Sequence, residues 1–277
     1  MLDPGLLRQR AVLLHALRSW LHAHGFLEMS VPVRVRSPAL EEHLQAFPVG
    51  DLWLHTSPEF ALKRVLASGL PRIYSLGPCF RDEEDGPHHG AEFTMLEWYR
   101  VGTDYRGIAE DLEALCRAAG NALGVSVPAF HHMTWAEAWE RYVPHSVPQD
   151  TVEVFRAWVH HVEPALVEPT VIWDFPADQA AFATVRDGVA ERFELYWRGV
   201  ELGNAFTELR DPAELEVRWT ACNTARIAAG RPPYPTDERL LSAVATHGPA
   251  GGIAVGLDRL FMVLIGLPDI HQGRIPG

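Results

Sequence analysis

One stretch of the chain concentrates charged side chains between two β-type runs: residues 75–100, SLGPCFRDEEDGPHHGAEFTMLEWYR. The run 73–80 ends at Arg81, an acidic loop with two histidines follows, and a second run covers 92–100. We expect an antiparallel hairpin whose loop mouth carries a guanidinium, a group that binds phosphate through paired N–H donors. The hairpin therefore predicts a nucleotide site for ATP, although the chain has neither a GxxxxGK-type loop nor a GxGxxG motif.

Three glutamates, Glu194, Glu201 and Glu208, follow one another at intervals of seven residues. Seven residues are two helical turns, so one interpretation is the solvated face of a helix. The residues between them favour two strands instead, joined by a two-residue turn at Arg198 and Gly199. In that hairpin Tyr196 pairs with Glu201, and Glu194 lies diagonally from Glu201 on the same face, at about 7–8 Å or less.

Two carboxylates at that distance repel each other unless solvent or a cation separates them. Mg²⁺ is the natural resident, because it takes one or two carboxylates and completes its shell with water and phosphate oxygens. Glu208 is an odd number of residues from Glu201, so a regular pleat would place the two on opposite faces. Both can serve one site only if the strand bulges, and we expect that bulge at Gly203 and Asn204.

A second guanidinium, Arg259, follows the Gly-rich segment GGIAVGLD at a predicted helix start, so Arg81 and Arg259 are the candidate phosphate ligands. Phe93 could stack on adenine, and Glu83 could accept a hydrogen bond from the adenine amino group. Each residue also has an ordinary interpretation. A strand phenylalanine often belongs to the core, a loop glutamate to solvent, and a single arginine to a surface ion pair.

Glu59, Glu97, Tyr99 and Glu208 would form an acidic pocket with an aromatic wall if they converge. Such a pocket suits a ligand that carries ammonium groups. The chain contains no GxSxG, no HExxH and no Cys–His nucleophile pattern. Positioning and electrostatic stabilisation are therefore the expected means of catalysis.

Composition restricts the setting. The net charge of −12 argues against tight binding to a nucleic-acid backbone. Three scattered cysteines favour a reducing cytoplasm, and the chain has neither a signal-peptide pattern nor an apolar run of membrane-spanning length. Lys63 is the only lysine, and we interpret the excess of arginine as genomic codon bias.

Periodicity and turn signals predict the elements that hold these residues. Ser57 is expected to cap a helix, and Pro32 to interrupt a strand, because proline cannot donate to a sheet ladder. Helices are predicted at 6–24, 57–68, 105–119, 211–229 and from 258 onward, and strands at 26–33, 51–55, in the hairpins 73–100 and 191–209, and before 258. Hairpins separated by helices favour an α+β fold with a mostly antiparallel sheet.

Taken together, these segments resemble the catalytic core of a class II aminoacyl-tRNA synthetase. FRDEE with EFTMLEWYR resembles motif 2, GGIAVGLDRL resembles motif 3, and FLEMSVPV resembles motif 1. TSPEFALKR and RFELYWRGVELGNAFTEL are similar to the lysyl branch. Within that branch the chain resembles the elongation factor P–lysine ligase family. The residues before 26 leave no space for an anticodon-binding barrel, and the segment DFPADQAAFA is similar to that family. Ala254 also stands where true lysyl synthetases have a glycine.

The resemblance implies a role for each candidate. Arg81 would hold the α-phosphate and Arg259 the γ-phosphate, and these two are the implied catalytic residues. The implied ATP-binding residues are Arg81, Asp82, Glu83, His89, Phe93, Glu201, Leu202, Gly256 and Arg259. The implied Mg²⁺ ligands are Glu194 and Glu201. The implied amino-acid-binding residues are Ser57 and Glu59 for the backbone-side amine, Glu97, Tyr99, Asn204 and Glu208 for the other amine, and Ala254.

The implied reaction is ATP-dependent activation of (R)-β-lysine, or lysine, to an aminoacyl-adenylate, followed by transfer to a lysine side chain of elongation factor P. Two alternatives stay open: a lysyl-type paralogue that loads tRNA or another carrier, and a non-catalytic synthetase-like regulator. The resemblance also implies one catalytic domain over 1–277 without an anticodon-binding domain, and a homodimer for which tRNA is not the expected partner. Residues 125–170 are expected to form an inserted subregion, because they mix Pro, Trp and His with short apolar runs. One departure is Gly90–Ala91, which replaces the Asn-Pro usual at this point of the family.

Overall fold

A computed structural model describes residues 3–38, 40–146 and 151–275. The helices are α1 (Pro4–Ala23), α2 (Glu59–Leu66), α3 (Tyr105–Leu123), α4 (Trp135–Tyr142), α5 (Thr151–Ala157), α6 (Pro212–Ala228), α7 (Glu238–Val244) and α8 (Leu257–Ile265). The strands are β1 (Leu27–Glu28), β2 (Arg34–Val35), β3 (Pro48–Val49), β4 (Leu52–Leu54), β5 (Arg72–Phe80), β6 (Glu92–Val101), β7 (His131–Thr134), β8 (Thr170–Pro176), β9 (Val185–Arg186), β10 (Val189–Trp197), β11 (Val200–Thr207) and β12 (Ala250–Gly256). Short helical turns cover Trp158–Val162, Glu163–Ala165, Ala177–Gln179 and Ile270–Gly273.

Within the described ranges, nine strands form one main sheet in the order β1-β5-β6-β12-β11-β10-β8-β7, with β9 pairing onto β10. Its pairs are antiparallel except β1 with β5 and β7 with β8, which are parallel. Strands β2, β4 and β3 form a small second sheet. The prediction of an α+β fold with a mostly antiparallel sheet is confirmed.

The two faces of the main sheet carry different side chains because residues alternate along each strand. On β6, Leu96 and Trp98 are fully buried in the hydrophobic core beneath α1 and α3, whereas Glu97 and Tyr99 lie on the opposite face. Helix α1 contributes Leu13, Leu17 and Leu21 to that core, at the spacing of a single helix face. The core therefore supports the sheet from one side and leaves its other face to the polar residues.

Most predicted elements agree with the structure. The helices predicted at 6–24 and 211–229 are α1 and α6, and the turn at Arg198–Gly199 joins β10 to β11 with both residues at positive φ, as a tight hairpin turn requires. Helix α2 is shorter than the predicted 57–68, because it begins at Glu59 and Pro58 stands at the N-cap position without a side-chain capping bond. Ser57, the predicted cap, is one residue too early, but its Oγ still accepts the N–H of Glu59 at 3.0 Å.

The strand predicted over 26–33 is wrong beyond its first residues. Only Leu27–Glu28 pairs with β5, and regular pairing stops before Pro32, which has no N–H to donate. In the segment 125–170, predicted as an inserted subregion, β7 pairs with β8 and so continues the main sheet. Among the described residues, no helix is long and apolar enough to cross a membrane.

Candidate active site

A cavity of about 430 Å³ lies on the polar face of the main sheet. Its floor comes from neighbouring strands: Ala254 on β12 pairs with Glu97 on β6 at one side and with Asn204 on β11 at the other. Along β6 the lining runs from Phe93 to Tyr99, a length of roughly 20 Å for a strand. The cavity is therefore elongated, and its two ends differ in chemistry.

Glu97 is the centre of one end, which we call the amine end. Ser57, Glu59, Glu97 and Tyr99 line it, and the buried pair of Lys63 and Glu208 lies directly behind this lining. The Glu97 side chain is 1% exposed, and its carboxylate accepts hydrogen bonds from Ser57 Oγ at 2.6 Å and from Tyr99 OH at 2.7 Å. Both donors are neutral hydroxyls, so they orient the carboxylate without compensating its charge. Burial raises the pKa of Glu97 to about 8, and nearby Glu59 adds to the rise.

Lys63 lies within the same acidic group and was not among the predicted site residues. Its side chain is 1% exposed, and Nζ donates to Glu59 Oε1 at 2.6 Å and lies 2.7 Å from Glu208 Oε2. Burial alone would lower the pKa of Lys63, but Glu208 and Glu59 outweigh burial and raise it. A signal for this contact existed in the sequence, since Lys63 follows Glu59 by four residues in a predicted helix.

Glu208, one of the predicted amino-acid-binding residues, is buried behind the amine end at 1% exposure and does not itself line the cavity. Neither carboxylate oxygen of Glu208 has a hydrogen-bond partner among the described residues, and Oε2 is compensated by the ion pair with Lys63. A Cβ at Gly252 on the cavity wall would lie 2.5 Å from Oε1. Only glycine leaves space for this carboxylate. Burial raises the pKa of Glu208 to about 7, with Lys63 opposing the rise and Glu59 adding to it.

A bulge in β11 explains how Glu201 and Asn204 reach the same cavity although they are an odd number of residues apart. Tyr196 pairs with Glu201, as predicted, but the next residue of β10, Leu195, pairs with Gly203, so Leu202 is the extra residue. The bulge is therefore one residue earlier than the predicted Gly203–Asn204. The Leu202 side chain belongs to the core, although the residue borders the cavity.

Arg192 is a second cavity residue that sequence reasoning missed. Its Nε donates to Asn204 Oδ1 at 3.0 Å, and its guanidinium forms an ion pair with Glu194, whose other carboxylate oxygen accepts from Tyr196 OH. The signal was the alternation of Arg192, Glu194 and Tyr196 on one face of a predicted strand. Arg192 thus orients two residues that had been predicted to bind ligands.

Arg81, Phe93 and Arg259 define the other end of the cavity, which we call the nucleotide end. The Arg81 guanidinium carbon lies 5.1 Å from the centre of the Phe93 ring, and Arg81 Nε donates to the Thr56 carbonyl at 3.4 Å. Arg259 donates from Nε to the His88 carbonyl and from Nη1 to the Glu201 carbonyl, both at 2.9 Å. Main-chain carbonyls hold both arginines, and each also faces a carboxylate at longer range: Arg81 Nη1 lies 3.5 Å from Glu84 and Arg259 Nη1 lies 4.0 Å from Glu201. These partly exposed ion pairs are weak, so a phosphate ligand can replace them.

The other predicted nucleotide residues fall into two groups. His89 and Gly256 line the cavity with Arg259. Asp82 and Glu83 do not: the Asp82 carboxylate accepts the N–H of Glu83, and the Glu83 carboxylate is 63% exposed and lies 3.0 Å from Arg231. Glu83 has a φ of +66°, and this left-handed turn sets it apart from the extended strand that carries Arg81.

Gly90, one of the departures from the family pattern, borders the nucleotide end and a short C-terminal segment. A Cβ at Gly90 would lie 3.0 Å from Arg274 Nη1. The same segment holds the loop before Gly90, because the Ile270 N–H donates to the Pro87 carbonyl at 2.9 Å. Part of the space that an asparagine would need is therefore occupied by Arg274.

Glu194 and Glu201 are the carboxylates that could hold a metal ion. Both line the cavity, and burial raises the pKa of Glu194 to about 7, with Glu201 adding to the rise against the effect of Arg192. A divalent cation would relieve this repulsion, and two carboxylates with ligand oxygens suit Mg²⁺. The described residues contain no group of three or more His, Cys, Asp or Glu that could hold a metal, so such an ion would depend on the ligand as well.

Comparison with known proteins yields consistent matches. A family profile described as tRNA synthetases class II (D, K and N) matches residues 5–274. The chain is 35% identical to the elongation factor P–(R)-β-lysine ligase of Vibrio cholerae serotype O1, over 96% of this chain and 93% of the relative. It is 34% identical to the ligase of the same name from Proteus mirabilis, with the same coverage of both chains.

Proposed function

Because the chain belongs to the elongation factor P–(R)-β-lysine ligase family of class II tRNA synthetases, we propose that it activates (R)-β-lysine with ATP and transfers the product to a lysine of elongation factor P. The observation that carries the proposal is the union of two guanidiniums and a buried acid group in one cavity. A dicationic amino acid joined to a nucleotide matches this distribution of charge.

The first step is the formation of an aminoacyl-adenylate. A carboxylate oxygen of the amino acid attacks the α-phosphorus of ATP, the bond to the β-phosphate oxygen breaks, and pyrophosphate leaves. Attacking group and target are both anionic, so a guanidinium at the α-phosphate lowers the barrier by neutralising charge that develops in the transition state. Arg81 has this role in the proposal, and Arg259 holds the outer phosphates that become the leaving group.

The amine end selects the amino acid. Glu59 and Ser57 bind the amine near the reacting carboxylate, and Glu97, Tyr99, Asn204 and Glu208 receive the distant amine. Fixing both amines holds the carboxylate beside the α-phosphate, and such orientation is worth several kcal/mol, up to about 7–11 kcal/mol, in well-aligned systems. Mg²⁺ held by Glu194 and Glu201 would supply further neutralisation of the phosphate oxygens.

The second step forms an amide. The unprotonated ε-amine of the acceptor lysine attacks the carbonyl carbon of the adenylate, the bond to phosphate oxygen breaks, and AMP leaves. The acceptor loses one proton during this step. No covalent enzyme intermediate is needed, in accordance with the absence of a nucleophile pattern in the sequence.

Amino-acid-dependent exchange of pyrophosphate into ATP tests the activation step. We expect exchange with (R)-β-lysine, weaker exchange with α-lysine, and exchange reduced by about 10²–10³-fold after Arg81→Ala. Arg231→Ala is the matched control, because Arg231 lies outside the cavity and pairs with Glu83. If neither (R)-β-lysine nor α-lysine supports exchange, the proposal is contradicted.

Mass spectrometry of elongation factor P after incubation with enzyme, ATP and (R)-β-lysine tests the transfer step. The expected result is the addition of one lysyl group at a single lysine. A parallel incubation with total tRNA and labelled amino acid tests the alternative that tRNA is the acceptor. Acid-labile label on tRNA, with elongation factor P unmodified, would show that tRNA and not elongation factor P receives the amino acid.

A further inference from the structure

Lys63 lies between two carboxylates that, under the proposed function, serve different amines of the substrate. Glu59 belongs to the amine near the reacting carboxylate, and Glu208 to the distant amine. Since one ammonium nitrogen contacts both acids, at 2.6 and 2.7 Å, it also determines how far apart those acids lie. We propose that Lys63 is a positioning residue that sets the separation of the two amine sites and so selects the spacing between the substrate amines.

The contacts of Lys63 make it a spacer rather than a ligand. A lysine ammonium has three N–H donors. Two directions are taken by Glu59 and Glu208, and the Phe182 ring, whose centre lies 4.0 Å from Nζ, covers a further side. The ammonium is 1% exposed, so its directions are occupied before any substrate enters.

Lys63 also decides which carboxylate oxygens remain for the substrate. It takes Glu59 Oε1 and Glu208 Oε2, and it leaves the second oxygen of each acid. Neither oxygen of Glu208 has a hydrogen-bond partner among the described residues, but Oε2 lies 2.7 Å from the Lys63 ammonium, whereas Oε1 lies next to Gly252 on the cavity wall. The remaining acceptors therefore lie on either side of one fixed ammonium.

A fixed separation has a direct chemical use. The two amines of β-lysine are closer by one carbon atom than those of α-lysine, whereas charge and composition are identical. A pocket that recognises only the number of positive charges cannot distinguish these isomers. A pocket that fixes the distance between two carboxylate acceptors can. Discrimination of a single methylene is typically worth about 10–200-fold in kcat/KM.

Lys63 could instead be a purely structural counter-charge, and Arg226 provides the comparison. Arg226 is also a buried cation, at 0% exposure, but it donates to the main-chain carbonyls of Leu44 and Pro232, away from the cavity. Its loss should weaken the fold without changing the ranking of substrates. Arg226→Met is therefore the matched control for Lys63→Met.

The main experiment measures kcat/KM for pyrophosphate exchange with (R)-β-lysine and with α-lysine in the wild type and both variants. We expect Lys63→Met to bring the ratio of the two values at least about tenfold closer to one, and Arg226→Met to leave the ratio unchanged. A Lys63→Met variant that loses activity equally with both amino acids would overturn the proposal. Absence of exchange in the wild type would count against the proposed function instead.

A second experiment needs neither the variant nor catalysis. Linear diamines of three, four and five carbons, which lack a carboxylate, are added to the wild-type protein, and the rise in melting temperature is measured. A fixed separation predicts that one chain length stabilises the protein at several-fold lower concentration than the other two. Equal stabilisation by all three diamines would refute the role of Lys63 even if Lys63→Met fails to fold.

Discussion

The two ends of the cavity hold their charges in opposite ways. At the amine end Lys63, Glu97 and Glu208 are each 1% exposed and bind one another or neighbouring hydroxyls. At the nucleotide end Arg81 and Arg259 are 24% and 23% exposed, and they contact main-chain carbonyls and form long ion pairs with Glu84 at 3.5 Å and Glu201 at 4.0 Å. The charged groups of the amine end are therefore already buried and bound to one another without a ligand. The arginines of the nucleotide end are partly solvated and would be ordered further by a bound ligand.

Because of this difference, substitutions at the two ends should affect different properties of the protein. Buried acids shift one another's pKa and depend on their partners, so a change at the amine end should alter stability and specificity together. Ion pairs of partly exposed arginines contribute little to the free energy of unfolding, so losing one changes stability little. A change at the nucleotide end should therefore reduce the rate while the fold remains intact.

Arg81→Ala should produce the largest effect of the single changes at the nucleotide end. Removing one donor that faces developing charge typically costs about 10²–10³-fold in kcat. We expect a fall of that size in pyrophosphate exchange, with a melting temperature close to that of the wild type. A strongly lowered melting temperature would show that this end is also part of the stable framework, and the contrast between the ends would fail.

Glu97→Gln should act on the amino acid instead of on ATP. Glutamine keeps the size of the side chain and removes the charge, and hydrogen bonds to charged groups are worth about 1.5–3 kcal/mol, which corresponds to roughly 10–150-fold. We expect the KM for (R)-β-lysine to rise within that range and the KM for ATP to stay constant. An equal rise in both KM values would mean that the two ends are coupled through β6.

The acids of the amine end should also make binding depend on pH. The pKa of Glu97 is about 8 and that of Glu208 about 7, against an ordinary value of 4.5. A raised carboxyl pKa stabilises the folded protein below pH 4.5, and this contribution is lost as the pH rises through the folded values. An ammonium ligand binds the ionised form, so its affinity should rise over the same interval.

We therefore expect the KM for (R)-β-lysine to fall by at least about tenfold between pH 6 and pH 8. The KM for ATP should change much less, because the guanidiniums stay charged throughout. Glu97→Gln should flatten the profile for the amino acid. A profile that keeps its slope in this variant would assign the titration to another group.

Gly90→Asn should have the smallest effect. The nearest obstacle to a side chain at Gly90 is Arg274 Nη1, the mobile end of a long side chain, which can move away. Changes of this kind usually stay within about 0.5 kcal/mol, or roughly twofold in the KM for ATP. A tenfold or larger rise in the KM for ATP would show that Arg274 takes part in nucleotide binding. In that case Arg274→Ala, with Gly90 unchanged, should raise the KM for ATP to the same extent.

Local patterns were enough to predict much of the fold. Helical periodicity predicted α1, and the turn at Arg198–Gly199 predicted the pairing of Tyr196 with Glu201. These features depend on residues that are close in the chain. The same patterns failed where a local irregularity changes the direction of the chain, as at the Leu202 bulge and at the left-handed turn of Glu83.

The amine end could be predicted only in part. The acids were identifiable as candidates, but their convergence depends on α2, β6 and β11, which are distant in sequence. Lys63 was missed because a lysine in an amphipathic helix is usually solvated. Its spacing from Glu59 indicated one contact, but only the tertiary structure shows that the side chain is buried and also reaches Glu208.

An aminoacyl-adenylate acylates unprotonated amines that it meets, including those of the protein that made it. The ε-amine of Lys63 is the only lysine amine in this chain, and it is enclosed and held as an ammonium without a free electron pair. The other 23 of the 24 lysine and arginine side chains are guanidiniums, which keep their protons at physiological pH. Under the proposed function, this composition offers the adenylate no lysine nucleophile on the enzyme itself, so self-acylation at lysine would not compete with the acceptor.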